Sequence, residues 1–253
     1  MKLSTDQILT KVVTLSREPV SGGGRYLDVG SGTGALIALV RAALPNIECH
    51  ACDYTDTLMK IPDQKVDVAN LNEDALPYAA DTFDLVTCTE VIEHLENYRR
   101  LVREIFRVTK PGGTAIFTTP NVLNLQSRLR YLFFGFWNLF GPLPVGRTES
   151  YSTVGHITPV SYFYLAHALA ESGFALSQLE IDKLQRSAMP KLIILWPFIA
   201  LFGYLAKQRE IRRYGTVDQS NKSIVEAMNS VKMLLARTII VVARRPVNGR
   251  GHR

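Results

Sequence analysis

Leu27-Asp28-Val29-Gly30-Ser31-Gly32-Thr33-Gly34 is the stretch on which the reading of this chain turns. The run that leads into it, Arg25-Tyr26-Leu27-Asp28-Val29, predicts a strand, and the apolar periodicity after it predicts a helix from about Thr33 to Leu44. A glycine loop between a strand and a helix turns sharply and lets the backbone approach a ligand closely, because no Cβ intervenes. Gly30, Gly32 and Ala35 satisfy the G-x-G-x-x-A spacing of a dinucleotide site, with Asp53 about 20 residues on. The Lys-Ser/Thr ending of a phosphate-binding P-loop is missing, which excludes an ATPase of that type. Asp28, just before the glycines, disfavours a pyrophosphate and welcomes a cationic ligand, so a nicotinamide oxidoreductase is the weaker reading.

Outward from the loop, strands are predicted over Ile47–Cys52, Lys65–Ala69, Phe83–Cys88 and Thr114–Thr119, with a helix over about Asn97–Val108. Lys110-Pro111-Gly112-Gly113 reads as a turn, because proline fixes φ and glycine permits positive φ. This alternation is that of βαβ units and a parallel sheet. Further on, Thr158–Gly173 reads as a helix, and Phe174–Ile181 and Thr238–Ala243 as strands. Between those strands lies an excursion over residues 184–237, with an apolar run Leu192–Ala206 and a polar-faced helix near Ser223–Ala236. The 253 residues are read as one α/β domain, 1–253. Hydrophobic residues at 47% against 21% charged exclude a disordered or collagen-like chain. Three cysteines, Cys49, Cys52 and Cys88, read as buried thiols of a reducing compartment. The amphipathic start, MKLSTDQILTKVV, is no secretory signal, so a cytoplasmic protein is expected.

With Asn70-Leu71-Asn72-Glu73-Asp74-Ala75-Leu76-Pro77-Tyr78, Phe83-Asp84-Leu85-Val86 and Glu90-Val91-Ile92-Glu93-His94-Leu95 following the glycine loop in order, the chain resembles the class I S-adenosylmethionine-dependent methyltransferases. It is most similar to their small-molecule branch, which includes the ubiquinone-biosynthesis O-methyltransferases. The resemblance is continuous over the first half and resumes at Lys110–Gly113, Thr119-Pro120-Asn121, Gly155-His156 and Glu171-Ser172-Gly173-Phe174. It implies a Rossmann-like fold: a mostly parallel seven-stranded sheet, helices on both faces, here with a hydrophobic helical insertion. It also implies S-adenosyl-L-methionine as cofactor. Carried over residue by residue, Asp28, Gly30, Gly32 and Gly34 would cradle the methionine portion, and Asp53 would bind both ribose hydroxyls. A carboxylate suits the ribose because it accepts two hydrogen bonds at once. Asn70 with Leu71 would take the adenine, although Asn70 stands where the family has an aspartate. Thr89 and Glu90 would lie beside the sulfonium.

Methyl transfer from a sulfonium is an in-line displacement, in which orientation contributes roughly 7–11 kcal/mol. A positioned base adds about 10²–10⁴-fold. His156 is the first choice of base and His94 the second. His156 is expected to open the helix after the fifth strand, on the substrate side of the resembling fold. His50 and His167 read as structural, and His252 belongs to the tail. The ubiquinone-type enzymes associate a similar E-x-x-E-H cluster with a divalent metal. Here Glu93 and His94 are read as opening a helix and bonding the next loop, with no metal assigned.

The run Leu192–Ala206 spans roughly 22 Å at about 1.5 Å per residue, short of the bilayer core of about 30 Å, and Pro197 and Gly203 interrupt it. A spanning helix is therefore not expected. Two readings stay open: the run lies on a membrane face, or it packs over the pocket or against a partner. Residues 122–150 form an aromatic-rich segment with the same two readings, as a membrane contact or a substrate lid. Peripheral membrane contact would run through residues 122–140 and 191–213, on the inner face, where lysines and arginines flank the apolar stretches. The net charge of +6 then serves anionic head groups rather than nucleic acid, because the aromatics sit in apolar runs. The expected activity is O-methylation of an apolar, lipid-linked or prenylated small molecule. A non-catalytic cofactor-binding sensor or scaffold is the alternative, and the oligomeric state is not encoded legibly.

Overall fold

In the computed structural model, which describes residues 6–143 and 155–247, seven strands and eight α-helices follow one another. They are α1 (Asp6–Ser16), β1 (Gly24–Val29), α2 (Ala35–Ala43), β2 (Ile47–Asp53), β3 (Val66–Val68), β4 (Phe83–Thr89), α3 (Tyr98–Val108) and β5 (Thr109–Pro120). Then come α4 (Leu125–Phe134), α5 (Tyr162–Glu171), β6 (Ala175–Ile181), α6 (Met189–Arg209), α7 (Lys222–Ala227), α8 (Val231–Leu235) and β7 (Thr238–Arg244). The strands form one sheet in the order β3-β2-β1-β4-β5-β7-β6. All its pairings are parallel except those of β7, which runs antiparallel between β5 and β6. This is the expected Rossmann-like α/β architecture.

The apolar runs become strands because both faces of the sheet are covered. Along β7, Ile239, Val241 and Ala243 enter one core while Ile240 and Val242 enter the other, and none is more than 5% exposed. Leu101, Ile105, Leu165 and Leu169 of α3 and α5 complete the first core. Ile8, Val12, Ile37 and Val40 of α1 and α2 complete the second. Burying one such side chain is worth roughly 1.5–3 kcal/mol, so the alternation leaves little freedom of register.

Four expectations need correction. Residues 110–113 are not a turn ahead of the fifth strand: β5 runs through them with a register shift, Phe83 pairing with Thr109 and Leu85 with Thr114. Gly112 takes φ +84 there, and its N–H is tied to Arg245 O at 2.8 Å. The helix expected from Thr158 starts at Tyr162. The N–H groups of Ile157 and Thr158 are spent on Glu93 O at 2.9 and 3.0 Å, so His156 lies in an extended segment ahead of the helix. The polar-faced helix near 223–236 is two helices, α7 and α8. Arg128 donates to Met228 O and Asn229 Oδ1 at 2.6 and 2.7 Å, and Ser230 starts α8 by accepting from Met233 N. Finally, Pro197 and Gly203 do not interrupt the apolar run. Both lie inside α6, and the helical stretch Arg186–Tyr214 is long and apolar enough to cross a membrane.

One stripe of α6, Leu192, Leu195 and Ile199, packs on Leu125 and Leu129 of α4 and on Leu234 and Leu235 of α8. Lys207 pairs with Glu226 of α7 at 3.3 Å. A Cβ on Gly203 would come within 2.8 Å of the Asn229 side chain, so glycine permits that close approach. The helix therefore lies along the domain. Its other side is bare and still apolar: Ile193, Ile194, Phe198, Leu201 and Phe202 are 55–72% exposed. Tyr131–Phe134 of α4 continue that surface.

Candidate active site

The carboxyl ends of the parallel strands carry the polar residues that the sequence singled out. Between β1 and α2 the glycine loop holds Gly30, Gly32 and Gly34 at φ +76, +50 and +77. A Cβ at Gly30 would sit 2.2 Å from Val91 Cγ2, and one at Gly34 would sit 2.6 Å from Met59 Sδ. The Gly32 N–H donates to Asp53 Oδ2 at 2.7 Å, and the Tyr54 N–H donates to Oδ1 at 2.7 Å. The loop and the end of β2 are thus one unit, and burial raises the Asp53 carboxyl above its ordinary value.

Asp28 is 3% exposed. Its Oδ1 accepts from Thr87 Oγ1 at 2.7 Å, and Tyr26 Oη donates to that hydroxyl at 2.7 Å. Burial pushes its carboxyl up to about 7, opposed by the Thr87 hydrogen bond and assisted by the charge of Asp53. A cationic ligand would reverse that push. Ser31 Oγ in the loop and Thr89 Oγ1 at the end of β4 are buried without a hydrogen-bond partner. Asn70 and Leu71 follow directly on Ala69, whose N–H donates to Asp53 O at 2.9 Å. The Asn70 amide shapes its own turn, accepting from Asn72 N at 3.1 Å and donating to Glu73 at 3.3 Å, while Leu71 lies in the core.

After β4 the chain turns at Glu90, whose φ of +55 is unusual for a side-chain-bearing residue. Thr118 Oγ1 donates to Glu90 Oε1 at 3.0 Å, and burial raises that carboxyl to about 7. Glu93 and His94 lie in a single 3₁₀ turn, Ile92–His94. Glu93 is fully buried: Thr119 donates to Oε2 at 3.1 Å and Oε1 has no partner. Burial and then the charge of Glu90 hold it well above the carboxylate range. His94 Nδ1 donates to Gly155 O at 3.0 Å, which leaves Nε2 with the lone pair. The His156 ring stands 4.8 Å from the His94 ring and 5.1 Å from Phe140. Burial, and after it His94, lowers His156 to about 4, and its Nδ1 is buried without a partner. Both imidazoles are neutral at physiological pH. One ligand-type atom from each of Glu93, His94 and His156 falls within 4.8 Å of the others. A carboxylate and two imidazoles could hold a divalent ion, and the same set can pass a proton.

The structure thus gathers the glycines, Asp28, Asp53 and Thr89 on one side and His94 and His156 on the other. His50 and His167 lie elsewhere, paired with Glu48 and Glu171 at 2.7 and 3.3 Å; His252 and residues 144–154 of the aromatic segment lie outside the described residues. Sequence reasoning missed the far wall of the site, a cavity of about 470 Å³ beyond Pro120 that Arg130 and Arg237 line. The one signal for it was an arginine set directly before an apolar strand.

Residues 6–179 match the family described as "Methyltransferase domain". Demethylmenaquinone methyltransferase of Geobacillus kaustophilus is 32% identical over 151 residues, which cover 54% of this chain and 64% of that protein. Ubiquinone/menaquinone biosynthesis C-methyltransferase of Desulfotalea psychrophila is 28% identical over 143 residues, covering 54% of this chain and 56% of that protein. The chain thus spans less than two thirds of the length of these relatives. Among solved structures, a SAM-dependent methyltransferase from Archaeoglobus fulgidus superposes with a TM-score of 0.58 at 14% identity, covering 95% of each chain; this likeness is one of fold. The residues present fit the cofactor: a buried carboxylate for a sulfonium or ammonium, glycines where a Cβ would collide, and two buried hydroxyls in want of a partner. The chain belongs to the methyltransferase-domain family, and its fold is that of S-adenosylmethionine-dependent methyltransferases.

Proposed function

We propose that this enzyme methylates a hydroxyl oxygen of a small apolar acceptor, lipid-linked or prenylated, that it meets at the inner face of a membrane. The observation that carries this reading is the bare apolar surface of α4 and α6, where Phe133 and Ile193 are 82% and 72% exposed. An exposed apolar patch of that kind marks an interaction site. S-adenosylmethionine supplies an electrophilic methyl group on a positively charged sulfur. Asp28 and the glycine loop hold the methionine portion, Asp53 the ribose, Asn70 and Leu71 the adenine, and Thr89 borders the sulfonium. His156, neutral and with its Nδ1 unpartnered, takes the acceptor hydroxyl's proton. His94 stacks edge-on against it and keeps a lone pair for a proton passed on. Bound there, S-adenosylmethionine would give its methyl group to the acceptor oxygen and keep the electron pair on sulfur, while His156 would hold the proton of the acceptor hydroxyl. Three unpaired cysteines suit a cytoplasmic, reducing setting.

The name of one relative, a C-methyltransferase, favours a second outcome, transfer to carbon. Incubation of the enzyme with methyl-labelled S-adenosylmethionine and prenylated phenols tests the proposal. Label is expected in the organic extract, and mass spectrometry locates the new methyl on oxygen. His156→Gln should lower kcat by about 10²–10⁴-fold with the cofactor Kd unchanged. Tight cofactor binding with transfer only to water-soluble acceptors would refute the apolar acceptor.

A further inference from the structure

The cavity beyond Pro120 carries two guanidinium groups and no acid in its lining. Arg237 immediately precedes β7, where its carbonyl accepts from Asn121 N at 2.9 Å. Its side chain is half-buried and makes no hydrogen bond among the described residues. Its charge acts on the buried Glu90 carboxyl and lowers it without a hydrogen bond, since Glu90 Oε1 accepts from Thr118 at 3.0 Å. Arg130 gives one nitrogen to Trp137 O and lays its guanidinium over the Phe134 ring, 5.2 Å from the centroid. Asn121 and Asn124 of the lining turn their amide groups to the backbone. Asn121 Nδ2 donates to Met233 O and Ala236 O at 2.7 and 3.0 Å, and Asn124 Nδ2 donates to Asn121 O at 2.6 Å. The charged donors left for a ligand are those of the two arginines.

A half-buried guanidinium with no hydrogen-bonded acceptor among the described residues keeps its donors for water or for a ligand. Its planar fork matches a carboxylate or phosphate, two parallel hydrogen bonds at a time. The same helix that presents Arg130 goes on to expose Tyr131, Leu132, Phe133 and Phe134. A charged recess and an apolar ridge are therefore contiguous, next to the strand ends where Glu90 and Thr89 lie. We infer that this cavity is a subsite for an oxyanion carried by the acceptor, a carboxylate or phosphate held by Arg237 and Arg130 while the apolar part lies along α4. The inference rests on the apolar-acceptor reading and adds to it that the acceptor is an acid.

Calorimetric titration with dodecanoate, dodecyl phosphate, dodecanol and inorganic phosphate, each with S-adenosylmethionine present, tests it. One or both amphiphilic anions should bind about tenfold or more tightly than dodecanol, and inorganic phosphate more weakly than either. Arg237→Gln should erase the preference, and Arg130→Gln should reduce it, with dodecanol binding and cofactor affinity unchanged as evidence of an intact fold. Equal affinity for the anions and dodecanol would overturn the anion subsite and leave the apolar-acceptor reading standing. Failure of every amphiphile to bind, with cofactor binding intact, would overturn both. A preference that survives Arg237→Gln together with Arg130→Gln would place the anion elsewhere and overturn the assignment.

Discussion

Asp28 shows how much one buried side chain reports. A carboxyl moved from 3.8 to about 7 by burial is favourable to the fold while protonated and loses that support as the pH rises through 7. Asp28→Asn should therefore raise the melting temperature of the cofactor-free protein at pH 8 but not at pH 4, with a ceiling of roughly 4 kcal/mol. The same substitution should abolish cofactor binding. In the unaltered protein, affinity for S-adenosylmethionine should climb as the pH rises through about 7 and level off above it, because the cation needs the ionised carboxylate. A pH-independent Kd between 6 and 8 would contradict that role. The place of Asp28 before the glycines was legible in the sequence. Its pKa was not, because burial by the assembled sheet raises it, and the Thr87 hydroxyl that opposes the rise lies 59 residues away. The displaced basicities of Glu90 and His156 were hidden for the same reason, each depending on burial that only the assembled sheet supplies.

The strands and the glycine loop were readable because hydrophobic alternation and glycine placement are local. Gly30 illustrates how tightly the loop is built. With φ at +76 and Val91 Cγ2 2.2 Å from where a Cβ would stand, Gly30→Ala should cost about 1–3 kcal/mol, measured by denaturant titration. It should also weaken cofactor binding by more than the change in stability alone predicts. The elements that were misread depend on partners distant in the chain. Thr158 looked helical until Glu93 took its N–H, and the break between α7 and α8 is held by Arg128, 100 residues away at Met228. Proline and glycine in α6 look like interruptions locally, yet α4 and α8 line one stripe on both sides of Pro197 and keep the helix whole.

The whole chain carries 29 basic and 23 acidic side chains, and among the described residues α4 and α6 expose many large apolar side chains. Lys191, Arg212 and Arg213 stand exposed near the two ends of that surface. Flotation with vesicles should recover the protein with anionic lipid and far less with zwitterionic lipid, and added salt should weaken capture. Ile194→Glu with Phe198→Glu should abolish capture while the melting temperature holds, since both side chains are exposed. Equal capture of that variant would remove the membrane from the account. The excursion that carries α6 has one further property. Asp182 and Thr238 are hydrogen-bonded to each other, Leu184 bridges Ala236, and the Gln185 N–H reaches Leu235 O at 2.8 Å. The segment leaves and re-enters the sheet through a single doorway, so its ends stay joined whatever hangs between them. Doubling the length of a closed loop costs only about 0.6 kcal/mol. A segment mounted this way can be lengthened, shortened or rewritten while the sheet keeps its geometry.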